Sequence, residues 1–452
     1  MSLEPPFDRR TVLKGLGAAG VAATGVPSTA AASTWDYQVV GDALDAGVKE
    51  AVVQGDWAYT ANDESIATVD LSDPTTPLLG GTAVATGSDN ADVKVAGDIA
   101  VLANDGADPG DADYDTNPGG ISVFDVSDPT VPEQVSFYAA AGGVHNCYFD
   151  GTYAYLTVID DFEYARMVIV DLSDPTDPVS LEGDTRGSGG AWMLRDEHRA
   201  MAEAGVNPLH DIYVQDDLAY LAYWDAGCVV VDVSDPTDPR AVAHFGAGPQ
   251  AAEQPDDTAD FYQRYLGGER TNAHYARPSP DGDYTYVGAE TFPGPFEDTV
   301  VPGDHGGIRV FDTSDVSASS TPSDPYEEEI AYIPAPEHPT DATDPVTTSH
   351  NFDVTDEKLF ASWYQGGIRA YDLSDPTNPT ELAAQAPPGT AFWTAVDLPT
   401  SGQDFYTVGS DIGKGLIVLE LDHETAADDD DWTITEDLDP RDLMGPTMTE
   451  PL

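Results

Sequence analysis

Met167-Val168-Ile169-Val170-Asp171-Leu172-Ser173-Asp174-Pro175-Thr176-Asp177-Pro178 is the stretch that decides the fold. A β-branched apolar run reads as a strand. In the Ser-Asp-Pro-x-x-Pro that follows, side-chain oxygens bond nearby amides and proline presets φ, so the strand stops and turns. The phrase recurs at Val69–Pro74, Phe124–Pro132, Val231–Pro239 and Tyr371–Pro379. It is degraded at Phe311–Asp315 and shortened to Leu419-Glu420-Leu421-Asp422. Its acidic positions, Asp70, Asp125, Asp171, Asp232, Asp312, Asp372 and Glu420, stand 55, 46, 61, 80, 60 and 48 residues apart. Recurrence at this period, with loop insertions, marks propeller blades.

Each unit reads as four short strands, and the second-strand pattern occurs around Tyr59, Val101, Tyr155, Tyr220, Tyr286, Phe360 and Tyr406. An outer strand follows only six of these. The seventh is supplied by Tyr37-Gln38-Val39-Val40-Gly41, which completes the last blade and removes the open sheet edges. The expectation is therefore all-β: a seven-bladed β-propeller closed by the N-terminal strand, with short helical insertions on one face. Residues 33–423 form the propeller, 1–32 a signal segment and 424–452 an acidic tail.

Met167-Val168-Ile169-Val170-Asp171 resembles the LVIVD-repeat family, and the resemblance spans about 37–422. It implies a secreted or surface propeller and no particular reaction. Trp363-Tyr364-Gln365-Gly366-Gly367-Ile368-Arg369-Ala370-Tyr371-Asp372-Leu373-Ser374-Asp375-Pro376 is similar to one blade of the selenium-binding protein/methanethiol oxidase family, a propeller group associated with His-bound copper. No counterpart of that family's thiol motifs is present, so its activity does not transfer.

The net charge is −64, from 82 acidic and 18 basic residues. Such a surface repels nucleic acid and anionic membranes. It suits molar salt, where the Debye length falls to about 3 Å and like charges repel little, and so suggests a haloarchaeal-type halophilic protein. Asp8-Arg9-Arg10-Thr11-Val12-Leu13-Lys14, a modest apolar stretch and Ser28-Thr29-Ala30-Ala31-Ala32 read as a twin-arginine export signal. No later apolar run approaches the roughly 20 residues of a membrane span. The mature chain is expected to be an extracellular monomer. Cys147 and Cys228, the two cysteines, sit in strand-like apolar contexts and read as buried thiols.

Aligned on the repeat, His145, His210, His274 and His350 all begin an inner strand, in blades three to six; the fifth needs a two-residue slip. The chain has nine histidines, so four at one repeat position is a pattern. Inner strands line a propeller's axis, and imidazoles converging there suit Fe, Cu, Ni or Zn. A structural histidine inherited by four repeats accounts for the same pattern, and both readings stay open. The insertions at 182–208 and 246–273 lie just before these histidines; a short helix is expected over 191–202, another over 260–268, and Arg195 and Arg199 are candidate anion clamps. Loops after the second strands bring Asp160-Asp161, Trp224, Asp225, Glu290, His305, Trp363 and Tyr364 to the same face as candidate pocket or second-shell residues. The second-blade loop Asp108–Asn117 has alternating carboxylates that calcium uses, but lacks the Gly and terminal Glu of an EF-hand; a solvated loop fits so acidic a chain.

No Gly-x-Ser-x-Gly elbow, phosphate loop or His-Glu-x-x-His appears, so hydrolase, kinase and dehydrogenase readings lack support. Two functions remain: a metal-dependent oxidoreductase acting on a small molecule, or a metal-free extracellular module binding protein or glycan.

Overall fold

The computed structural model describes residues 35–44, 47–107, 117–159, 164–197, 199–202, 207–247, 272–291, 306–320, 329–336, 346–400 and 405–422. The expected export signal, the acidic tail, Asp160-Asp161, His198, His305, most of the second-blade loop and most of the 246–273 insertion lie outside these residues. The described chain forms seven antiparallel sheets, six of them built in chain order from inner to outer strand. The seventh takes three strands from Phe392–Asp422 and its outer strand from Asp36–Ala43. Tyr37 pairs with Leu421 and Val39 with Leu419, so the N-terminal strand closes the ring as expected.

The inner strands are Ala51–Gln54, Asn90–Ala96, Gly143–Phe149, Leu209–Gln215, Ala273–Pro278, Phe352–Val354 and Phe392–Leu398. Each touches the next, and the last touches the first. Seven apolar clusters fill the seven gaps between blades. Phe245 and Phe311, for example, meet at 5.0 Å between the fourth and fifth blades. Strand alternation sends one side chain into each neighbouring gap, which is why the middle strands read as nearly continuous apolar runs.

The recurring phrase does the turning. Asp70, Asp125, Asp171, Asp232, Asp312 and Asp372 each accept the backbone N–H of the serine two residues on, at 2.8–3.1 Å. The second aspartate repeats the device on threonine: Asp235 Oδ1 takes Thr237 N–H at 3.0 Å and its hydroxyl at 2.7 Å. The serine hydroxyl and then its N–H hold the Asp125 and Asp312 carboxyls below the usual range, and at Asp70 the Ser72 N–H does most of this. The glycine that opens the third strand is sterically required: Gly227 has φ 81° and an added Cβ would stand 2.5 Å from Phe245 O.

One expectation is corrected. Ala191–Met193 is not helical; it is a strand that pairs with Arg166–Val168. Blade three's outer strand stops after Val179–Ser180, and 191–193 resume the pairing farther along the same neighbour. The helical turns begin only at Leu194–Glu197 and Arg199–Ala202. The expected helix over 260–268 lies outside the described residues. Cys147 and Cys228 are both buried free thiols.

Candidate metal centre

The four histidines share more than a repeat position: each stands at a β-bulge. In blade four the register steps from Leu209–Tyr223 to Asp211–Ala222, leaving His210 extra. In blade five it steps from Ala273–Ala289 to Tyr275–Gly288, leaving His274. Blade three breaks between Val144 and Cys147, around His145. Blade six has His350 N–H donating to Ser362 O while Asn351 O accepts Ser362 N–H. The same break occurs at Ala91, Trp393 and Lys49 in the other blades. A bulge leaves one residue unpaired and re-aims its side chain, so the ring of bulges delivers one side chain per blade to the mouth of the axis. His274 needs no slip at the bulge. Its two extra residues lie in the hairpin between Pro278 and Tyr284.

Two residues beyond each bulge partner comes a second ring: Asp63, Asp105, Ile159, Trp224, Glu290, Tyr364 and Ile412. The rings interlock. Lys49 pairs with Asp63 at 3.0 Å and His145 Nδ1 with Asp105 Oδ2 at 3.3 Å. His274 Nε2 faces Glu290 Oε2 at 3.3 Å, and His350 Nε2 lies 3.8 Å from Glu290 Oε1. Successive imidazoles, His145 to His210, His210 to His274 and His274 to His350, have centroids 4.6, 3.9 and 4.3 Å apart.

Among the described residues, His210, His274 and Glu290 form a group that could hold a metal ion, with one donor atom from each within 4.8 Å of the others. All three are buried, at 5%, 1% and 3% exposure. Burial pushes the His210 and His274 rings well below the usual imidazole range, with the neighbouring imidazoles adding to it. It takes His350 down to about 3. These rings are therefore neutral, as ligation requires. Burial pushes Glu290 the other way, up to about 8, against the lowering effect of the Tyr364 hydrogen bond. Orientation comes from the next blade: His350 Nδ1–H donates to Trp393 O at 2.6 Å, which leaves Nε2 as the lone-pair nitrogen. Asn146 Nδ2 donates to His210 O at 2.8 Å.

The other expected site residues divide. Glu290, read as a second-shell residue, is in the ligand group itself. Tyr364 donates its hydroxyl to Glu290 Oε1, and its ring stands 5.0 Å from His350. Trp224 stacks on His210 at 6.3 Å, and Asp225 is buried in the following turn. Trp363 does not wall the mouth; it is buried in the apolar core beside Tyr371. Arg195 lies over the Tyr164 ring at 4.4 Å together with Arg186 at 4.9 Å, and Arg199 is exposed on its helical turn. His145 is half-buried at the edge of the arc. Trp393, which takes the histidine position in the last blade, packs 4.2 Å from His350 at the rim.

Below the mouth the axis is filled. Asn351 in blade six donates to Glu50 in blade one at 2.7 Å, a contact that crosses the axis past blade seven. Lys94 bonds Asp92, Arg277 pairs with Asp353 at 2.5 Å, and Tyr148 meets Tyr213 at 5.1 Å. Burial pushes Glu50 up to about 7. The histidine group thus caps a polar plug.

Three segments, residues 47–84, 141–182 and 209–245, match the LVIVD repeat profile. The chain carries LVIVD repeats. The matched segments coincide with blades one, three and four, and the LVIVD phrase is the third strand with its turn. No curated protein matches the sequence. Among solved structures, the Myceliophteria thermophila Cps50 (Swd1) β-propeller domain is similar at TM-score 0.50 and 10% identity, covering 85% of this chain and 98% of that one. The Neurospora crassa Pan2 WD40 domain gives 0.48 and 9%, covering 85% and 95%. At such identity the likeness to the Cps50 domain shows the fold alone.

Proposed function

We propose that this chain is an exported β-propeller whose axis mouth binds one transition-metal ion through His210, His274 and Glu290, with His350 as a further donor and His145 at the edge of the arc. The convergence of His210, His274 and Glu290 on one buried point carries this reading. Donors around an ion bound at about 2.0–2.2 Å stand about 3 to 4 Å apart, so a spread of up to 4.8 Å asks for a contraction of up to about 1 to 2 Å. Two imidazoles and a carboxylate with positions left open suit Fe(II), and nitrogen-rich sets also suit Cu, Ni and Zn; calcium, which takes oxygen ligands, does not fit. The strongly negative field raises the local cation concentration at the mouth. Oxidative chemistry on a small molecule is the activity that such a set serves best. The Arg9-Arg10 segment supports export of a chain already folded around its ion.

The test is metal analysis of protein purified in high salt and loaded with Fe(II), Cu(II) or Zn(II), beside His210→Ala and His274→Ala. The proposal expects one ion per chain in the wild type and a loss in both variants. No stoichiometric ion in the wild type would leave a metal-free interaction module as the reading.

A further inference from the structure

The carboxylate of Glu290 has two oxygens with different surroundings. Oε2 faces His274 Nε2 at 3.3 Å, while Oε1 accepts the Tyr364 hydroxyl. Tyr364 sits in the equivalent ring position one blade on, so the bond crosses from blade six to blade five. Its backbone has φ 47°, a left-handed conformation disfavoured for a residue with a bulky side chain. That conformation is held from both sides: Tyr364 O accepts Gly367 N–H at 3.1 Å and Phe392 N–H at 3.2 Å. The residue is 6% exposed, with its ring edge-on to His350 at 5.0 Å and to Trp393 at 6.2 Å. The phenol is therefore placed by the backbone and by packing, independently of Glu290.

We propose that Tyr364 is a positioning residue that confines Glu290 to ligation through a single oxygen and thereby keeps a coordination position open on the ion. This rests on the metal reading above. Oε1 lies 3.8 Å from His350 Nε2, but an oxygen already accepting a phenolic proton is a poorer donor to an ion, which leaves Oε2, 3.3 Å from His274 Nε2, as the ligating oxygen. Without the hydroxyl the carboxylate is free to rotate and bind through both oxygens, closing a position that substrate would use. Outer hydrogen-bond partners of this kind typically change metal affinity by about 10- to 100-fold.

The experiment is a double-mutant cycle on Co(II) binding, read by visible absorption in high salt, for wild type, Tyr364→Phe, Glu290→Gln and the double variant. Tyr364→Phe keeps the ring contacts and removes the hydroxyl alone; circular dichroism checks that each variant is folded. The expected result is an affinity change of about 10- to 100-fold and an altered Co(II) band shape in Tyr364→Phe, with no further effect of that substitution in the Glu290→Gln background. An equal effect in both backgrounds, or a Tyr364→Phe spectrum and affinity identical to wild type, would overturn the role of Tyr364 while leaving the metal reading standing. A wild type that takes up no Co(II) would overturn both. Should Tyr364→Phe fail to fold, the band shape of wild type beside Glu290→Asp decides. The shorter carboxylate withdraws from the hydroxyl, so an unchanged band shape overturns the role.

Discussion

Closure of the ring can be tested at one buried side chain of the N-terminal strand. Tyr37 on the N-terminal strand is 1% exposed and packs with Phe360, Ile368, Leu419 and Leu421. Its hydroxyl shares a 2.7 Å hydrogen bond with Thr407 Oγ1, itself fully buried. Truncating a buried aromatic to alanine costs about 3–5 kcal/mol. Stranding the threonine hydroxyl adds about 1 kcal/mol or more. Tyr37→Ala should therefore cost about 4–6 kcal/mol, a large part of the roughly 5–15 kcal/mol that stabilises a domain. Tyr37→Phe, which keeps the packing and loses the hydrogen bond, should cost about 1–2 kcal/mol. Urea unfolding at constant molar salt, followed by fluorescence and circular dichroism, measures both. A cost under about 1 kcal/mol for Tyr37→Ala would show that the N-terminal strand does not hold the seventh blade, and the closure argument would fall.

Other consequences are equally direct. Burial and the nearby Asp353 push the Asp397 carboxyl up to about 6. Its folded value lies above its unfolded one, so its contribution to stability is complete below about pH 4 and is lost as pH rises through about 6, a loss of up to about 3 kcal/mol by pH 8. Asp397→Asn should accordingly stabilise the protein at pH 8 and change little at pH 4; equal destabilisation at both would refute the sign. Cys147 and Cys228 are fully buried and burial raises both thiols, so neither should react with an aromatic disulfide reagent until the chain unfolds; rapid native labelling would contradict their placement. Lowering salt from about 1 M to about 0.01 M lengthens the Debye length from about 3 to about 30 Å. With a net charge of −64, the melting temperature should fall across that range; a salt-independent value would contradict the reading of the acidic surface.

The blades were legible because their signal is repetitive: the same strand, aspartate and proline recur, and local hydrogen bonds at Asp232 or Asp372 need no distant partner. The histidine register was legible for the same reason. What the repeat hid was the bulge, since two residues facing one is a property of the pair of strands rather than of either. Glu290 could be named as a mouth residue but not as a ligand, because one carboxylate among 82 acidic residues carries no mark. Only its two-residue offset from the bulge partner, shared with Asp105 and Tyr364, picks it out. Trp363 and Tyr364 are adjacent and equally aromatic. Strand alternation sends the first into the core and the left-handed backbone of the second brings its phenol to the site. Ala191–Met193 reads as helix because alanine and methionine suit one and Leu194 onward continues it; the unpaired edge of Arg166–Val168 makes it a strand instead.

The central claim is that bulge histidines and Glu290 hold a single ion. X-ray absorption at the metal edge of the loaded protein addresses it most directly. The account predicts one ion per chain whose nearest neighbours are imidazole nitrogens and one carboxylate oxygen at about 2.0–2.2 Å, with that oxygen lost in Glu290→Ala and nitrogens lost in His274→Ala. An ion with only water and carboxylate oxygens around it, unchanged in those two variants, would contradict it.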